Sequence, residues 1–270
     1  MRSQRIVLVA AALFAVTHAV GVLLAAPVWR FAELLSLASL ILYAVVSGLP
    51  APRWALPAAL AVLLVDAVRT LSGTPGDADY DWQVRTPADG IDTTSGFGSA
   101  LAAWWAPLVA VVLLLTVRAR GRRPSPVVTA VAATAAVLIT GYAVVRVIGV
   151  GLLAPQADAV IAVSLAVLPA VVLGLAAVTL AAALAGRGHR LAAAGASLLA
   201  VVALPTIDAG VAATPLPYAA SNDPGLFGWD LIMPTMAMPQ PVPALTTVLE
   251  MAAFLLLVAG LTGSRAVRPQ

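Results

Sequence analysis

AVIAVSLAVLPAVVLGLAAVTLAAALA, residues 159–185, contains no charged side chain, and its only hydroxyls are Ser164 and Thr179. A helix lying on a soluble core keeps one polar face, whereas one that is apolar all round is enclosed by protein or by lipid. About 20 such residues cross a ~30 Å hydrocarbon layer. This run is longer and includes Pro169, so it reads as one tilted or kinked span and not as two.

Seven further runs have the same character, at about 6–26, 31–49, 54–71, 99–117, 127–149, 191–210 and 244–262. The predicted fold is all-α, a polytopic membrane protein with about eight transmembrane helices. Composition agrees: 61% of residues are hydrophobic and 10% charged, and the mean hydropathy is +1.01. A soluble chain of this length would need a far more charged surface. The first run resembles a signal peptide in position only. It is longer than a secretory core and Pro27 follows Ala25-Ala26, so it is expected to stay as a helix.

Every basic residue other than histidine is Arg. The pI near 9.9 might point to nucleic acid, but the arginines sit in short links between apolar runs and act as orientation signals. With the amino terminus inside, the inner segments hold Arg2, Arg5, Arg53, Arg118, Arg120, Arg122, Arg123, Arg187, Arg190, Arg265 and Arg268. The outer loops hold only Arg30 and Arg85. The expected location is a cell (inner, cytoplasmic) membrane, with both termini cytoplasmic. The expected partners are the bilayer and other membrane subunits, not nucleic acid.

Two long connections, 72–98 and 211–243, then face outward, and loop lengths alternate as though one four-helix unit were repeated. Phe14–Pro27 aligns without gaps on Tyr142–Pro155 with half of the positions identical, and Val65-Asp66-Ala67 matches Ile207-Asp208-Ala209. The expected organisation is a first unit over 1–120 with an acidic outer loop, and a second over 121–270 with a Pro- and Met-rich outer loop. Such halves would be related by an axis along the membrane normal.

An ionisable side chain within a span costs roughly 2.5–3.5 kcal/mol at mid-depth on insertion scales, so it marks a site or an ion pair. Here these residues are His18, Glu33, Asp66, Arg69, Arg146, Asp208 and Glu250, all in outer halves of their helices. Asp66, Asp208, His18, Arg69, Arg146 and Glu250 are the candidates for a substrate or proton pathway. Asp66 and Arg69 share a helix face at i,i+3. On the repeat, His18 corresponds to Arg146 and Asp66 to Asp208, which predicts a polar cluster facing the axis. Close backbone contact between helices is expected at Gly141, Gly149, Gly151, Gly174, Ala193, Ala194 and Gly195.

Two weaker metal motifs lie in the outer loops. Asp77, Asp79 and Asp81 alternate as hard-cation ligands do, but Trp82 stands where an EF-hand has glycine and Ala88 where it has its bidentate Glu. Met233, Met236 and Met238 offer thioethers suited to Cu(I), or equally apolar packing. No cofactor is implied: there is no Cys, no Lys to complete a P-loop, no G-x-S-x-G and no H-E-x-x-H. The function expected is a small transporter-like protein or an accessory subunit of a membrane complex. The alternative is an outward-facing metal-dependent enzyme of the lipid-linked transferase type, using the acidic loop.

Overall fold

The computed structural model describes residues 2–24, 26, 30–72, 93–117, 124–153, 157–212, 214 and 241–263. Those residues form eight helices: α1 Arg2–Leu23, α2 Arg30–Ser47, α3 Ala55–Ser72, α4 Ser95–Leu115, α5 Pro126–Leu153, α6 Ala157–Gly186, α7 Arg190–Ala212 and α8 Pro241–Gly263. Six of them, α1 and α4 to α8, are long and apolar enough to cross a bilayer, the composition of a multi-pass membrane protein. α2 contributes a shorter apolar stretch, Phe31–Ser47. α3 interrupts its apolar run with Asp66 and Arg69.

Local signals in the sequence set several helix ends. α2 stops at Gly48, whose φ of 95° continues neither helix nor strand, and Pro50 follows. α6 ends in a Schellman turn. Gly188 takes φ 81°, its amide donates to the Ala185 carbonyl at 3.0 Å, and the His189 amide donates to Leu184 at 3.0 Å. That turn lets α7 begin at Arg190 and fold straight back along α6. At the start of α5, Pro126 occupies the first helical position and the Ser125 hydroxyl accepts from the Val128 amide at 3.3 Å. Pro169 sits inside a continuous α6, so the long run is one helix.

The helices run alternately up and down. Neighbour packing closes a circuit from α1 through α2, α3, α4, α6, α7 and α8 back to α1, and α5 lies outside it against α6 and α7. The short α2–α3 and α6–α7 links share one end of the bundle with Arg53, Arg187 and Arg190, hereafter the basic end. There the Arg187 guanidinium donates to the Val117 carbonyl at the close of α4, at 2.9 Å.

α6 and α7 are the most enclosed helices, and their buried faces consist mainly of alanine, valine, leucine and glycine. Small residues let backbones touch. A Cβ on Gly195 would lie 2.5 Å from the Ala253 carbonyl oxygen, and one on Gly260 would collide with the Ala192 backbone, so α7 and α8 are in reciprocal close contact. Gly174 meets Ala203 across α6–α7, and Gly210 meets Ala166. Of the residues expected in such seams, Gly174, Gly195 and Ala193 are there, and Gly151 touches Val160. Gly141 and Gly149 instead face open space, and Ala194 is exposed.

Candidate functional site

The ionisable residues of the helices gather at the end opposite the arginines, in two groups and not in one. The first is built by α1, α2, α3, α4 and α8. His18, 7% exposed, places its Nε2 3.5 Å from Glu33 Oε2 across α1–α2. Below this contact, the buried Ser36 hydroxyl donates to the Ala11 carbonyl at 2.9 Å and ties the same two helices. Asp66 on α3 accepts twice on Oδ1, from Arg69 Nε at 3.1 Å and from the Trp105 indole N–H of α4 at 2.8 Å, and it forms an ion pair with the Arg69 guanidinium.

Arg69 in turn donates to the Ala102 carbonyl at 2.6 Å, and its guanidinium carbon stands 5.8 Å from the centre of the Trp105 ring. Arginine and indole thus form one stacked clamp on a single carboxylate. Glu250, half-buried on α8, has the Glu33 and Asp66 carboxylates as its charged neighbours. Among the described residues, this group holds three carboxylates, one arginine and one histidine.

The second group lies between α5 and α7. Arg146 Nε donates to Asp208 Oδ1 at 2.7 Å, with both side chains 43% exposed. The Tyr142 hydroxyl donates to the same carboxylate, 2.9 Å from Oδ1 and 2.8 Å from Oδ2. Asp208 therefore holds an arginine and an aromatic donor, as Asp66 does. The partners come from a different helix relation, since Arg69 shares α3 with Asp66 whereas Arg146 reaches Asp208 from α5.

The expected pairing of Asp66 with Arg69 is present, and the structure places His18 and Glu250 in the first group and Arg146 and Asp208 in the second. A single cluster uniting Asp66 with Asp208 is not. Two donors escaped the sequence reading. Trp105 carries no charge to single it out, and Tyr142 enters only through the repeat alignment. The available signal was that an indole N–H or a phenol within a span needs an acceptor. Glu33 lies one turn into α2 and is the partner that the sequence could not assign to His18.

Asp77, Asp79, Asp81, Met233, Met236 and Met238 lie outside the described residues. Among the described residues no group of three His, Cys, Asp or Glu side chains is placed to hold a metal ion. No family model matches the chain, no curated protein matches it and no solved structure does.

Proposed function

We propose that this chain is a small transporter-like protein that crosses a cell membrane eight times, with its basic end in the cytoplasm, and that the group of His18, Glu33, Asp66 and Glu250 takes up a proton from the opposite side. One observation carries the reading. Side chains from α1, α2, α3 and α8, distant in sequence and each costly within a span, come together, and among the described residues of the group carboxylates outnumber bases. Neighbouring carboxylates disfavour one another's ionised form, which suits such a group to binding and releasing protons.

Two four-helix units, 1–120 and 121–270, fit this reading. Consecutive helices pack in both halves, and Asp66 and Asp208 each bind one arginine and one aromatic donor. A second reading, an accessory subunit, is favoured by α5. Only 11% of its span is enclosed, and its outer face carries Val137, Val145 and Leu152.

The test uses the full chain in vesicles that trap a pH-sensitive dye, with an imposed proton gradient. Proton flux that Glu250→Gln and Asp66→Asn remove, while both variants keep wild-type helicity and gel-filtration behaviour, supports transport. An inert wild type, or flux unchanged in both variants, would leave the accessory-subunit reading.

A further inference from the structure

A lateral crevice opens on the outer side of the bundle between α5 and α7, with the α6 stretch from 178 to 185 as its floor. Its volume is about 510 Å³, within the range of small-molecule sites. On α5 its wall is the row Val131, Ala135 and Leu138, and on α7 the row Ala193, Ser197 and Leu204. Ser197 is the one polar side chain in the lining among the described residues, and its hydroxyl donates to the Ala193 carbonyl of its own helix at 3.0 Å.

Both rows continue beyond the crevice with the same helical spacing, and they end differently. At the top, Tyr142 follows Leu138 by four residues and Asp208 follows Leu204 by four. There the Tyr142–Asp208–Arg146 hydrogen bonds close the gap. At the bottom, Arg190 precedes Ala193 by three and is exposed on the same stripe of α7. The amino-terminal ends of α5 and α7 lie at that end too. The apolar stretch from Ala193 to Leu204 is about 16 Å long at 1.5 Å per residue. That is close to half of a ~30 Å hydrocarbon layer, the depth of one leaflet.

We propose that this crevice holds one acyl chain of an anionic phospholipid from the leaflet at the basic end, with the lipid phosphate on Arg190. The apolar wall fits a hydrocarbon tail, and the Arg190 guanidinium on the same stripe of α7 fits the phosphate. The closed polar top sets the depth the tail can reach. The site is separate from the carboxylate group of α1, α2, α3 and α8, and it stands whether or not the chain transports an ion.

Native mass spectrometry of the detergent-purified full chain, delipidated and titrated with phosphatidylglycerol or phosphatidylcholine, tests it. The wild type retains a single lipid and prefers phosphatidylglycerol by about fivefold, the worth of one arginine near an anionic surface. Arg190→Gln still retains a lipid but loses the preference. Ser197→Phe, placing a ring in the crevice from an exposed position, removes the retained lipid. Ala135→Phe does the same from the opposite wall and covers the case in which one variant fails to fold. Leu13→Phe, on the exposed face of α1, changes nothing.

Retention unchanged in both filled variants, or no lipid on the wild type, would overturn the proposal. So would a wild-type dimer that Ser197→Phe dissolves, because the occupant would then be a second copy of the chain.

Discussion

Asp66 and Asp208 show how far the surroundings of a carboxylate decide what its loss costs. Asp66 is 17% exposed and accepts from both Arg69 and Trp105. Replacing it with Ala strips the acceptor from a half-buried indole and a guanidinium, and should cost about 1–2 kcal/mol. Arg146 and Asp208 are both 43% exposed, and Tyr142 still binds the carboxylate when the arginine is lost. Arg146→Gln should therefore cost under about 1 kcal/mol, in line with polar contacts measured within bilayers. Unfolding midpoints of the two variants in one detergent check the order, with Asp66→Ala the lower. The positions of these groups were legible from the cost of charge in a span. Their partners were not, because helical spacing reports which residues share a face of one helix but not which helix stands opposite. Asp66 with Arg69 was readable at i,i+3, whereas His18 with Glu33 and Tyr142 with Asp208 needed the packing.

At the level of elements, helix positions followed from the apolar runs to within a few residues at most ends. The physics is blunt there: lipid leaves the backbone little choice but helix. Seams were harder to read, because alanine and glycine are so frequent that composition does not single out the close contacts. Gly141 and Gly195 look alike in sequence, yet one faces open space and the other lies against the α8 backbone. Gly195→Val should then force α7 and α8 apart and cost about 3 kcal/mol or more, as overpacking does. Gly141→Val should stay within about 0.5 kcal/mol of wild type. Thermal melting with gel filtration of both variants checks this, and equal behaviour would contradict the α7–α8 contact. Gly188→Ala should cost about 1 kcal/mol through its left-handed φ alone.

For the whole molecule, the alternating direction of the helices gathers Arg53, Arg187 and Arg190 at one end and Glu33, Asp66, Asp158 and Asp208 toward the other. The arginine bias in the links made that polarity readable without coordinates. The place of α5 outside the α1–α2–α3–α4–α6–α7–α8 circuit was not readable, since all the apolar runs look equally fit for the interior. The eight-span arrangement depends most on α2 and α3, the two helices that are shorter or interrupted by charge. If they did not cross, the α2–α3 link would lie on the opposite side from Gly121.

The chain has no cysteine, so single introduced thiols can be labelled on intact cells without background. With Ala51→Cys, Gly121→Cys and Asn222→Cys, a membrane-impermeant maleimide added outside should label only position 222. Positions 51 and 121 should react only after the membrane is opened. Labelling of position 51 from outside, with 121 still protected, would contradict the eight crossings.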